Sequence, residues 1–150
     1  MTCGFVDRER SATDHPAMRI LTALAVAAAL VLGTSAPAHA MSYSCDVTYD
    51  ATVWTGGFVS SITIENTGTS TFSPWLLQIV FAGNETMSSG WSATWTQTPP
   101  SLQAANPIWA TSIAPGTTSA AIGFVATFTG TYTNPTGITL NGVPCTVAYI

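Results

Sequence analysis

From Cys45 to Val53 the chain alternates. Cys45, Val47, Tyr49, Ala51 and Val53 share one parity, and Asp46, Thr48, Asp50 and Thr52 share the other. A period of two is that of a half-buried strand, with one face to the core and one to water. Trp54 continues the polar parity, so the pattern puts a large ring on the water side of the strand. Further short runs predict strands at Phe58–Glu65, with Ile62 and Ile64 inward, and at Trp75–Phe81, apolar enough to be central. Ser92–Gln97, Leu102–Ala105, Thr118–Phe128, Ile138–Leu140 and Cys145–Ala148 follow. Turn residues separate them at Gly56-Gly57, Asn66-Thr67-Gly68, Pro99-Pro100, Ala114-Pro115-Gly116 and Asn141-Gly142. No helical period and no internal repeat follows residue 40, and the spacing predicts an all-β sandwich.

The same parity rule sorts some tryptophans and not others. Trp75 shares a face with Leu77, Ile79 and Phe81 and is predicted as core. Trp91 and Trp95 share a parity with Ala93, so both are buried or both exposed unless the strand begins after Trp91. Ser88-Ser89-Gly90 suits a loop or bulge there, and the pattern leaves the matter open. In Asn106-Pro107-Ile108-Trp109, Ile108 takes one face and Trp109 the other, again without deciding which is exposed. Several exposed indoles on one small domain would form an apolar patch of the kind that marks a binding site. A pyranose presents axial C–H groups on its faces and hydroxyls at its rim, so flat aromatic rings suit it.

The N-terminal region has a different character. Residues 18–40 combine Arg19, an apolar run from Ile20 to Leu32 and a small-residue site, Ala38-His39-Ala40. This is the pattern of a secretory signal cleaved after Ala40, and the run is too short for a comfortable membrane span. Residues 1–17 are charged and fit an upstream extension from a misassigned start, with Met18 as the true first residue. The expectation is a secreted, extracellular domain over 41–150. All three basic residues and both histidines fall within 1–40, which leaves Asp46, Asp50, Glu65 and Glu85 as the domain's charges. Without Lys or Arg it cannot neutralise phosphates, so nucleic acid and anionic membranes are excluded as partners and a neutral ligand is favoured. Cys45 and Cys145, a pair in an exported chain, are predicted to form a disulfide. Closing a loop of about 100 residues is worth up to ~4.7 kcal/mol in the chain-entropy model.

Catalysis finds little support. Glycoside hydrolysis needs two carboxylates facing each other across the substrate. Asp46 and Asp50 share the polar face of the first strand, while Glu65 and Glu85 adjoin turns, and all four are expected to be solvated surface charges. Cleavage after Ala38 would place His39 at the N-terminus, as half of the copper brace of lytic polysaccharide monooxygenases, but the domain has no second His. It also has no Cys/His cluster for zinc and no Ser-His pair for acyl transfer, so neither metal nor cofactor is expected. Asn84-Glu85-Thr86 matches a glycosylation sequon that reads as incidental.

In order, CDVTYDATVWTGGFVSSITIENTG, SPWLLQIVF, GWSATWTQ, NPIWATSIAPG, IGFVATFTG and ITLNGVPC resemble a family 2 carbohydrate-binding module, from Cys45 to about Thr146. The resemblance implies an antiparallel β-sandwich, of immunoglobulin-like or jelly-roll type, with a disulfide joining the terminal strands. It also implies a planar strip of three tryptophans that binds crystalline cellulose or, in some members, chitin or xylan. Carried over, the strip is Trp54, Trp91 and Trp109, with Trp75 buried. The xylan-binding subset has an Arg where this chain has Gly57, so Gly57 implies the flat, cellulose-type platform. Where the family often places Asn or Gln beside the rings, this chain has Thr52, Ser61, Ser89, Ala121 and Val125, and Ala110 follows the last ring. Thr52, Ser61, Ser89 and the matching Asn106 are the candidate polar contacts. Trp95 stands where the family usually has a smaller apolar residue, and is read as core. The expectation is a monomeric, non-catalytic binder of insoluble polysaccharide; the alternatives are a xylan-binding module and an adhesive sandwich using its aromatic patch for protein contacts.

Overall fold

The computed structural model describes residues 40–150, and the expected signal sequence and upstream extension lie outside the described residues. Ten strands run in chain order: β1 Cys45–Trp54, β2 Gly57–Asn66, β3 Leu76–Val80, β4 Thr86–Trp91, β5 Thr94–Thr98, β6 Ser101–Ala105, β7 Ile122–Thr127, β8 Gly137–Leu140, β9 Val143–Pro144 and β10 Thr146–Tyr149. They form two five-stranded sheets, β10-β1-β2-β7-β4 and β5-β6-β3-β8-β9. Pairing is antiparallel except for β1 with β10, which run parallel.

The alternation in β1 and β2 becomes the core. Val47, Tyr49, Phe58, Ile62 and Ile64 are buried, as are Leu77, Ile79, Leu102, Ile138 and Leu140 from the facing sheet. Phe58 is at the centre, its ring 4.9 Å from that of Tyr132 and 5.6 Å from that of Phe124. Each large side chain so removed from water contributes roughly 1.5–3 kcal/mol. Val53 departs from its parity: it lies beyond the core at the hairpin end and is exposed. Trp75 is buried, with its indole N–H donating to the Ala110 carbonyl at 2.9 Å. Cys45 and Cys145 form the disulfide, which joins the start of β1 to the residue before β10.

The region around Trp91 differs from the sequence pattern. Thr86–Trp91 is a strand, β4, whose register shifts between Met87 and Ser89. Its pattern is masked because an edge strand carrying a bulge does not alternate cleanly. The chain then turns at Ser92 (φ 58°) and enters the other sheet as β5. Trp91 and Trp95 therefore lie on different strands of different sheets, and their shared parity carries no information.

Candidate functional site

The outer face of the β10-β1-β2-β7-β4 sheet can be read as rows from its registers. Trp54, Gly57, Thr127 and Thr86 form one row; Thr52, Val59, Val125 and Ser89 the next; Asp50, Ser61, Gly123 and Trp91 the third. Trp54 and Trp91 thus mark opposite corners of a three-row patch, 48% and 41% exposed. Each ring leans inward over a glycine of the neighbouring strand. A Cβ on Gly57 would meet Trp54 Nε1 at 2.8 Å and Cε2 at 2.9 Å. A Cβ on Gly123 would meet Trp91 Cζ2 at 2.0 Å, and also the Ser60 carbonyl oxygen at 2.5 Å. Both indoles therefore lie against backbone that carries no side chain. Gly123 is four residues from Thr127, the partner of Gly57, so the two glycines are spaced about 13 Å along the strands.

The row between the rings has two half-buried valines at its middle, Val59 and Val125, and two exposed hydroxyl residues at its ends, Thr52 and Ser89. Ser61 is exposed beside Gly123. This patch is dry at its centre and polar at its rim.

Trp109 is presented differently. It sits in the turn after β6, 64% exposed, and Ile108 beside it is 95% exposed, so neither residue belongs to a strand face. The buried Trp75 ties that turn down at both ends. Asn106 N donates to the Trp75 carbonyl at 3.1 Å, Trp75 N donates to Asn106 Oδ1 at 3.2 Å, and the Trp75 indole holds Ala110. The Asn106 amide thus serves its own turn, and its Nδ2 donates to the Pro107 carbonyl at 3.3 Å. Between Trp109 and the Trp91 end of the patch is a cleft of about 380 Å³, lined on that side by Ser92 and Ile122. Trp109 therefore lies beyond Gly123, at the end of the face away from Trp54.

Trp95 does not join the outer face. It is half-buried, pairs with the core residue Ala104, and its ring centroid is 5.1 Å from that of Phe124.

The charges are sparse. Among the described residues there is no Lys, Arg or His, and no group of three or more metal-ligating side chains. Asp46, Asp50 and Glu65 are exposed. Glu85 overturns the expectation of a solvated charge: it is 5% exposed, and its Oε2 has no protein partner. Its place beside a turn says nothing about side-chain direction, and here the carboxylate points inward, next to Gly83. Burial also raises the Tyr49 hydroxyl far above the ordinary phenol range.

With this geometry in view, a family model described as "Cellulose binding domain" matches residues 45–145. Exoglucanase B of Cellulomonas fimi is 41% identical over 122 residues, covering 81% of this chain and 11% of its own length. The chain thus spans about a tenth of that relative. A cellulose/chitin binding protein of Mycobacterium bovis is 29% identical over 95% of this chain and 96% of its own. Among solved structures, the chitin-binding domain of Chi18aC from Streptomyces coelicolor superposes with a TM-score of 0.55 at 33% identity, covering 68% of this chain and 94% of that one.

Proposed function

The chain belongs to the family 2 cellulose binding domains, and from that membership we propose that residues 41–150 are a secreted, monomeric, non-catalytic module that holds a flat polysaccharide surface against Trp54, Trp91 and Trp109. One observation supports this reading: two exposed indoles lie over glycines on one outer face, with a third exposed indole beyond the Trp91 end of that face. Stacking needs broad, level, uncharged contact, and the glycines supply the level. Burying three such rings contributes roughly 1.5–3 kcal/mol each before association costs, which corresponds to micromolar or weaker dissociation constants.

Thr52, Ser61 and Ser89 offer hydroxyls to the rim of a stacked chain, and Asn106 acts by fixing the Trp109 turn. Gly57 favours a level surface over a turned-out ring, hence cellulose or chitin over single xylan chains. One relative is named for binding both cellulose and chitin and a similar solved domain for binding chitin, which makes those two the ligands to test first.

The test is depletion of the oxidised protein from solution by microcrystalline cellulose, chitin and insoluble xylan in parallel. Retention on cellulose or chitin, lost in a Trp54→Ala, Trp91→Ala, Trp109→Ala variant that still folds, is the expected result. No retention on any of the three would sink the proposal and leave the aromatic face to a protein partner.

A further inference from the structure

The strand that carries Trp91 lies at an edge of its sheet. β4 is paired only with β7, and its ladder is interrupted by the shift between Met87 and Ser89. Such an edge presents a free row of backbone donors and acceptors. Here side chains of β5, which belongs to the other sheet, meet that row. Gln97 Oε1 accepts from Met87 N at 2.8 Å, and Gln97 Nε2 donates to the Glu85 carbonyl at 2.7 Å. A carboxamide carries the same donor and acceptor as a peptide group, so Gln97 stands in for a missing strand residue. At the other end, Trp95 Nε1 donates to the Trp91 carbonyl at 3.2 Å.

The Trp95 ring packs against both β4 and the core. It lies across Gly90, where a Cβ would meet its Cδ1 at 2.4 Å and its Nε1 at 2.7 Å. Gly90 pairs with Phe124, whose ring the indole also touches. Trp91 is therefore fixed from two directions: its ring rests on Gly123, and its main chain is gripped by Trp95 across Gly90. We propose that Trp95 is a positioning residue for Trp91, setting the height and tilt of that ring while touching no sugar itself, and that position 90 is glycine because Trp95 occupies the space of a side chain. The functional meaning of this rests on the platform reading above; the positioning does not.

The decisive variant is Trp95→Phe, which keeps a ring against Phe124 and removes the N–H. Two readouts are taken on the oxidised, full-length protein: affinity for cellulose or chitin, and the order of each indole from ¹⁵N relaxation of its Nε1–H. The expected result is binding weaker by roughly three- to tenfold, as loss of one hydrogen bond to the main chain would give. The Trp91 indole should become more mobile while that of Trp54 is unchanged. In a Trp91→Ala background the same substitution should weaken binding no further. Trp95→Phe that leaves the Trp91 indole as ordered as before, or that weakens binding equally without Trp91, overturns the proposal. If the variant fails to fold, hydrogen exchange of the Trp95 Nε1–H in the unaltered protein decides, since a donor held by the Trp91 carbonyl is protected and a free one is not. Unaltered protein retained on no polysaccharide would remove the platform reading and leave the relaxation measurement to judge the positioning role.

Discussion

Trp54 and Trp91 make the same contact and owe it to different support. Trp54 is the last residue of β1, before a two-residue turn with Gly56 at φ 78°, and its row partner Gly57 begins the next strand. Its position is fixed by local chain geometry. Trp91 ends an edge strand and depends on other strands: Gly123 beneath it on β7, distant in sequence, and Trp95 and Gln97 on β5, near in sequence but part of the opposite sheet. A ring set by a hairpin survives changes elsewhere. A ring set by packing across the sandwich edge is only as steady as that packing.

This difference can be pushed from either side. The largest effect is expected from Gly123→Ala. The new methyl would collide with both the Trp91 ring and the Ser60 backbone, so overpacking should remove about 1–3 kcal/mol of stability and binding should fall as well. Thermal unfolding and cellulose depletion would record both. Next comes Gly90→Ala, which drives the methyl into the Trp95 indole and should lose about 1–3 kcal/mol by the same mechanism. Adding Trp95→Val should recover most of that in chemical unfolding; absence of recovery would mean that position 90 is glycine for a reason other than Trp95. Gly57→Ala is milder, because the atoms nearest the new methyl, at 2.8–3.0 Å, belong to the Trp54 side chain rather than to backbone. The ring can lift, so stability should change by less than about 0.5 kcal/mol while affinity falls up to about tenfold, or ~1.4 kcal/mol. Equal destabilisation by Gly57→Ala and Gly123→Ala would break the comparison.

High pH should act on both rings alike. The Tyr49 hydroxyl has its pKa raised by burial, and the unfolded chain returns it to the ordinary phenol value of about 10. Below about pH 10 both states hold the proton and stability is unaffected; above it only the folded state does, so stability falls by at most ~1.4 kcal/mol per pH unit from this group. Unfolding melts followed from pH 8 to 11 would show a flat region and then a decline, which Tyr49→Phe should make shallower without removing it, since burial raises Tyr132 and Tyr149 as well.

Much of the sandwich is legible along the chain because β1, β2 and β3 obey their periods closely. Trp54 and Trp75 could be assigned from neighbours of like parity. Trp91 and Trp95 could not, because the chain changes sheets between them at Ser92, and a parity count assumes one continuous strand. Trp109 escaped because a turn has no period, and what holds it is hydrogen bonding to Trp75, some thirty residues earlier. Gln97 gave no signal at all: an inward glutamine near a strand edge is recognisable only once the strand it completes is in view. Trp95 carried a signal in its size, next to a glycine five positions upstream, but that pairing acquires meaning only in three dimensions.

The Cys45–Cys145 bond has a mechanical consequence. It sits between the entry and exit of the sandwich, with a sequence separation of 100. Tension applied to the chain before residue 45 and after residue 145 passes through two sulfur atoms and bypasses everything between. Pulled from its ends against a ligand surface, the domain cannot be drawn out like a thread. The load then runs along β10, which lies outside the bridged loop, while the aromatic face stays slack and keeps its shape.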